Sequence, residues 1–244
     1  MKITYRAAGL LLLAAFTAAI SVGAGAAQGG QGAQLPSFND RFSVKWNGIS
    51  AGDMRVQMEP QAGEHNCYVA RTTTNPNFLA AMVYGSPHQT SVFCVVNGHI
   101  RSQTYRFEFP DHADKSYTLT FDWQHHTVTD DKGKRRSIPD DAIDSLAMQQ
   151  AVRLWLIAHA DDADPPEAKF TLVDDEHLTH YRFKRAGKHQ ISTPAGRFET
   201  WLMERVDNPD KVGKYWIAPA RHYLPVASET RNGHGAVLTT MLEE

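Results

Sequence analysis

Ser116-Tyr117-Thr118-Leu119-Thr120-Phe121-Asp122-Trp123 alternates polar and apolar side chains without a break. Successive side chains of a strand point to opposite faces, so Tyr117, Leu119, Phe121 and Trp123 share one face and the other stays wet. Moving outward from this stretch, the same period of two recurs. Met54, Val56 and Met58 alternate with Asp53, Arg55, Gln57 and Glu59; Tyr105, Phe107 and Phe109 with Arg106 and Glu108; Tyr181 and Phe183 with Arg182 and Lys184. Strands of this kind are half-buried in an antiparallel sheet with one packed face. Val92 to Val96 is instead a continuous apolar run closed by Asn97-Gly98, a strong hairpin signal. Turn chemistry at Asn47-Gly48, Lys132-Gly133, Pro194-Ala195-Gly196, Asn208-Pro209-Asp210 and Asn232-Gly233 divides the chain into about a dozen short strands in a meander.

One segment breaks the pattern. From about Ser145 to His159, Leu146, Ala147, Met148, Ala151, Val152, Leu154, Trp155, Leu156, Ile157 and Ala158 cover most of a helix circumference. Gln149, Gln150 and Arg153 form one narrow polar stripe. Asp144 is placed to cap the first turn, and Ile143 stands at hydrophobic-staple spacing from Met148. A surface helix needs only one apolar stripe, so this one is expected to be enclosed. The expected fold is therefore mainly β: a curved antiparallel meander forming an open or nearly closed barrel around one buried helix, about 145–159, which removes exposed strand edges.

The ends and the composition set the compartment. Lys2 and Arg6 precede an apolar run from Ala7 to Val22 that leads into the small residues Gly23 to Ala27. That is the layout of a secretory signal peptide, 1–27, rather than of a transmembrane anchor, which needs roughly 20 apolar residues. Residues 28–37 read as a flexible leader and 38–244 as a single β-rich domain, with no stable membrane span after cleavage. Losing Lys2 and Arg6 turns 25 basic residues into 23 against 27 acidic ones, a net charge of -4, which does not support a nucleic-acid partner. In an oxidising compartment Cys67 and Cys94 are expected to form a disulfide; the alternative is two separate buried thiols.

Chemistry-bearing clusters have bland readings beside the active ones. His177 with His180, and the adjacent His125 and His126, lack added Cys or carboxylate ligands at zinc spacing and read as solvated loop histidines. Ser145 follows Asp144 at a helix start, where both residues are expected for capping, and no G-x-S-x-G elbow is present. The carboxylates at Asp130-Asp131, Asp140-Asp141 and Asp174-Asp175-Glu176 read as turn residues. No catalytic residue, metal ligand or cofactor is assigned. Trp46, Trp123, Trp155, Trp201 and Trp216 either fill the interior or line a cavity for an apolar ligand, with Trp155, Trp123 and Trp216 as the candidate lining.

An ordered set of motifs then stands out: Trp46-Asn47-Gly48-Ile49-Ser50-Ala51-Gly52, Phe121-Asp122-Trp123, Asp144-Ser145-Leu146, Thr193-Pro194-Ala195-Gly196-Arg197-Phe198, and Tyr215-Trp216-Ile217-Ala218-Pro219 with Tyr223-Leu224-Pro225-Val226. Together these resemble the DUF3108 family of exported bacterial proteins, from about Asp40 to the C-terminus. The layout is also similar to periplasmic lipoprotein carriers of the LolA/LolB type, in which an incompletely closed barrel encloses helix and binds acyl chains; this chain departs from them in having one helix. The resemblance implies a periplasmic location and transfers no activity. The function expected is non-enzymatic binding of an apolar or amphipathic envelope component, such as a lipid, in the concave face of the sheet. The alternatives are a surface-mediated envelope assembly or interaction factor, whose protein partner is unknown, and a cell-envelope hydrolase.

Overall fold

The computed structural model describes residues 35–244, apart from 111, 112, 232 and 234 and the side chains of Val83 and Tyr84. The expected signal peptide lies outside the described residues, as does the leader up to residue 34. Nine strands and two helices make up the first part of the chain: β1 (Phe38–Trp46), β2 (Ile49–Pro60), β3 (Cys67–Pro76), α1 (Phe78–Tyr84), β4 (His88–Val96), β5 (His99–Glu108), β6 (Tyr117–Asp122), β7 (Thr127–Asp130), β8 (Arg135–Ser137), β9 (Ala142–Ile143) and α2 (Ser145–Ala158). β10 (Ala168–Val173), β11 (Leu178–Thr193), β12 (Gly196–Arg205), β13 (Val212–Ala218), β14 (Leu224–Arg231) and β15 (Val237–Leu242) follow. β1 to β8 form one antiparallel meander and β10 to β15 another. β15 pairs with β1, Phe42 opposite Leu242, and fuses them into one sheet of 15 strands.

The tight hairpins form where the turn residues tolerate a left-handed backbone. Asn47-Gly48 adopts φ of 47° and 82°, and Asn97-Gly98 adopts 52° and 79°, the primed geometry whose twist matches the flanking strands. Gly52 is needed for a different reason. Its φ is 126°, and a Cβ there runs into the Asn75 carbonyl oxygen of β3.

The sheet is curved but its ladder is not closed, and β8 and β9 are its edges. Those edges are successive in the chain, joined by residues 138–141, and Arg136 of β8 donates to the Asp174 carbonyl just beyond β10 at 2.5 Å. Two expectations need correction. The sheet is mixed, because β9 lies parallel to β10 with Ala142 opposite Thr171, and a two-residue strand has no readable period. A second helix, α1, is present: residues 78–84 are apolar throughout, so periodicity does not separate helix from strand there. Asn77 starts it, accepting from the Ala80 N–H at 3.0 Å and donating to the Ser50 carbonyl at 2.6 Å. Within the expected leader, Leu35 is buried and its N–H donates to the Tyr68 hydroxyl at 2.9 Å, so the chain is already tied to the core there.

Three apolar clusters fill the interior. The largest gathers Met58, Tyr68, Phe93, Tyr105, Leu119, Phe121 and Val128 with Leu146, Ala147, Ala151 and Leu154 of α2. The second joins Val152 and Leu156 of α2 to Phe183, Met203 and Ile217. The third, Phe42, Val56, Ala218, Val226 and Leu242, contains no residue of the helix. α2 packs most extensively against β3, β4, β5 and β10, and reaches β11, β12 and β13 through the second cluster. Cys67 and Cys94 are direct partners across β3 and β4 and form a disulfide of 2.07 Å, as expected.

Candidate functional site

The first turn of α2 is held by Asp144, which is fully buried. Its Oδ1 accepts from the N–H groups of Leu146 and Ala147 at 3.0 and 2.9 Å. Its Oδ2 accepts from the hydroxyls of Ser91 in β4 and Ser102 in β5 at 2.7 and 2.6 Å, so one side chain caps the helix and bolts it to two strands. Burial pushes the Asp144 carboxyl above its ordinary value, while its four donors pull the other way.

The polar stripe of α2 is not a wet face. Only Gln149 is exposed; Gln150 is 3% and Arg153 1% exposed. Arg153 Nε donates to the His222 carbonyl at 2.6 Å and Nη1 to Gln150 Oε1 at 3.2 Å, while Nη2 is buried with no acceptor among the described residues. The carbonyl it holds belongs to a tight turn, Pro219–Arg221 and the two residues after it, where His222 and Tyr223 both take positive φ, 54° and 59°. Arg221 of that turn donates through Nη2 to Asp40 of β1 at 2.7 Å, and its Nη1 is likewise buried without an acceptor. Asp40 is 4% exposed and faces inward. Burial lowers the Arg153 pKa to about 10, with Tyr68 and Asp40 opposing, so the guanidinium stays charged at neutral pH.

Between one face of α2 and strands β1, β2, β11 and β13 to β15 lies a cavity of about 250 Å³. The helix contributes Ser145, Met148, Gln149, Gln150 and Val152. The sheet contributes Phe38, Asp40 and Phe42 from β1, Met54 and Val56 from β2, and Phe183, Tyr215, Ile217, Pro225, Ser228 and Thr240 from β11 and β13 to β15; Tyr223 comes from the turn. The cavity lies among the three apolar clusters: Phe42 and Val56 of the third, Val152, Phe183 and Ile217 of the second, and Phe38 and Met148 packed against the first all line it. Most of its exposed wall is apolar, and Asp40, Ser145, Gln149, Gln150, Ser228 and Thr240 supply its polar groups.

None of the three tryptophans singled out from the sequence lines this cavity. Trp155 stacks on His159 at the end of α2, with centroids 4.6 Å apart. Trp123 donates through Nε1 to the Ser102 carbonyl at 2.7 Å and carries Arg101 over its ring. Trp216 packs beside the third cluster. Tertiary structure does not bring the three together. The sequence marks Arg153 only as part of the polar stripe of α2, and Asp40 and Arg221 carry no local signal.

The remaining candidates are placed as follows. The Ser145 hydroxyl donates to Tyr105 Oη at 2.9 Å and lies 3.1 Å from Gln89 Oε1, so its neighbours are a phenol and an amide rather than an imidazole. Burial raises the Tyr105 phenol above its ordinary value, which keeps it protonated. Thr171, buried beside the β9–β10 seam, places its hydroxyl within 3.1 Å of both Asp141 and His180 Nδ1, so the carboxylate contacts the hydroxyl and does not orient the ring. His125 pairs with Asp122 at 2.7 Å, His126 with Asp140 at 3.2 Å, and His177 lies against Asp174 at 3.7 Å, all at exposed turns. Among the described residues no three His, Cys, Asp or Glu side chains converge as a metal site. No helix among them is long and apolar enough to cross a membrane.

A solved structure superposes well enough to agree on the fold. A β-barrel-like protein of the domain of unknown function DUF1849 from Brucella abortus superposes with a TM-score of 0.53 at 10% identity, covering 86% of this chain and 96% of that one. A putative exported protein with a YmcC-like fold from Bacteroides fragilis NCTC 9343 gives a TM-score of 0.36 at 14% identity, covering 86% of this chain and 97% of its own. A search of curated proteins returns no match. The family model for "Protein of unknown function (DUF3108)" matches residues 41–243, nearly the whole described chain, and the protein belongs to that family.

Proposed function

We propose that this is a periplasmic, non-enzymatic protein, exported by a cleaved signal peptide, that binds an apolar or amphipathic envelope component between α2 and the concave face of the sheet. The carrying observation is the cavity of about 250 Å³ with its mainly apolar wall. Protein interiors are close-packed with few voids larger than a water molecule, so a gap of this size among packed apolar clusters is a candidate ligand site. The volume sits just below the roughly 300–1,000 Å³ of drug-sized pockets, which suits a single acyl chain rather than a two-chained lipid. The disulfide is in keeping with an oxidising compartment. Native mass spectrometry of protein purified from the periplasm, with displacement of a fluorescent acyl probe, tests the reading. Val56→Trp, which grows a side chain into the cavity, is expected to abolish probe binding with the fold retained by circular dichroism. Absence of both a co-purified lipid and probe binding to the unaltered protein refutes it.

A second reading, an envelope assembly factor working through its surface, is favoured by a separate feature. Phe78, Leu79 and Met82 of α1 are 77%, 73% and 73% exposed. Bonds from Asn77 to Ser50 and Ala51 bring exposed Ile49 to the same end of the sheet. A contiguous apolar patch of this kind marks an interaction site. Co-purification of a protein partner that is lost in the Phe78→Ser, Leu79→Ser, Met82→Ser variant, with probe binding unchanged, supports this reading over the first.

A further inference from the structure

We infer that the ligand held beside α2 is an uncharged single-chain amphiphile whose head presents a hydroxyl to Asp40, and that the cavity rejects anionic lipids. This head-group preference rests on the ligand cavity proposed above. Asp40 is the one carboxylate in the wall, 4% exposed, and no Lys, Arg or His lines the cavity beside it. A carboxylate in an apolar wall repels a second anion, and no lining cation offsets that repulsion. Its own charge is already matched, since Arg221 Nη2 donates to Asp40 Oδ1 at 2.7 Å, so the wall does not call for a cationic head either. What Asp40 lacks is donors. A carboxylate offers about four lone-pair sites, and Asp40 accepts this single hydrogen bond among the described residues. Oδ2 is not one of the sealed, unpartnered atoms such as Arg221 Nη1, so it remains accessible in a side chain that faces inward and lines the cavity. Leaving a buried acceptor without a donor is costly, and a ligand hydroxyl supplies one. Ser145, Gln150, Ser228 and Thr240 of the wall already bond within the protein: Ser145 to Tyr105, Gln150 through Oε1 to Arg153, and the last two to each other at 2.7 Å. Asp40 is therefore the group left to read the head of the ligand.

Four competitors of equal heavy-atom count test this at pH 8 against the unaltered protein loaded with a neutral fluorescent acyl probe: a long-chain primary alcohol, a methyl ether, a fatty acid and an alkylamine. The alcohol is expected to displace the probe about 10-fold better than the ether, the lower end of the range for a hydrogen bond to a charged acceptor. It is expected to exceed the acid by about 10-fold or more, and the amine is expected to do no better than the alcohol. Asp40→Asn removes the charge at constant size and is expected to raise the acid's displacement relative to the alcohol's by about 10-fold. Asp40→Asn with Arg221→Gln removes both charges, is expected to give the same rise, and serves where the single variant does not fold. Displacement led by the acid or the amine, or equal displacement by alcohol and ether, overturns the hydroxyl head and leaves the cavity reading standing. An unchanged acid-to-alcohol ratio in the variants overturns recognition by Asp40. Failure of the probe and of all four competitors to bind overturns both readings.

Discussion

Replacing Asp144 with alanine removes the bolt between α2 and the sheet, and its cost can be worked from the four hydrogen bonds that converge on the carboxylate. Loss of the cap at Leu146 and Ala147 costs about 1 kcal/mol. The hydroxyls of Ser91 and Ser102 have no solvent exposure, and each left without its acceptor costs about 1–3 kcal/mol. The expected loss is about 4 kcal/mol, a large fraction of the roughly 5–15 kcal/mol that holds a domain together. Asp144→Asn keeps an acceptor for both N–H groups and lets the serine hydroxyls rotate, so its expected cost is about 1 kcal/mol. The asparagine variant also isolates the charge. Because burial raises the carboxyl's folded-state pKa, the native protein binds the extra proton between the unfolded value near 3.8 and the raised one. The stability this contributes is therefore present at low pH and lost as pH rises through the folded-state pKa. Urea unfolding from pH 4 to pH 8, reported as the wild-type stability minus that of Asp144→Asn, is expected to fall with pH. Ser91→Ala is expected to cost less in the Asp144→Ala background than in the wild type, since the hydroxyl it removes is already unpaired. An alanine variant within about 1 kcal/mol of wild type, or strict additivity with Ser91→Ala, refutes the bolt. A stability difference that stays flat or rises with pH refutes the electrostatics.

Three further outcomes are expected. Reduction of Cys67–Cys94, or its double replacement by alanine, is expected to lower stability by about 3–4 kcal/mol on the chain-entropy estimate for a loop of 27 residues, measured by denaturant unfolding with and without reductant. Gly52→Ala is expected to destabilise by about 2 kcal/mol or more, because both the positive φ and the approach of the Asn75 carbonyl must be relieved; an unchanged melting temperature refutes the close contact. Replacing Phe78, Leu79 and Met82 with serine is expected to change stability by no more than about 0.5 kcal/mol per site, since all three are exposed, and a larger loss means that α1 packs on the domain.

Local periodicity is a property of neighbouring residues, and what it governs was legible in the chain. The alternation at 116–123 and its repeats specify strands; Asn47-Gly48 and Asn97-Gly98 specify hairpins, because few other residues accept two positive φ values in succession. The helix start at Asp144 belongs to the same class, whereas the pairing of Cys67 with Cys94 followed from two cysteines in an expected oxidising compartment. Features without a local period were not legible: the two-residue parallel strand β9, and α1, whose seven apolar residues fit strand and helix equally. The cavity was legible only as a place to look. Its wall draws on residues from Phe38 to Thr240, and its one lining carboxylate, Asp40, is held by Arg221 across 181 positions of sequence. Trp155, Trp123 and Trp216 lie outside this cavity's wall, because strand register and sheet curvature decide which side chains reach a given gap. The sequence by itself determined the strands, their turns and the enclosed helix. Tertiary structure alone decided where a cavity is left beside that helix and which side chains line it, since both depend on where distant strands are set relative to one another.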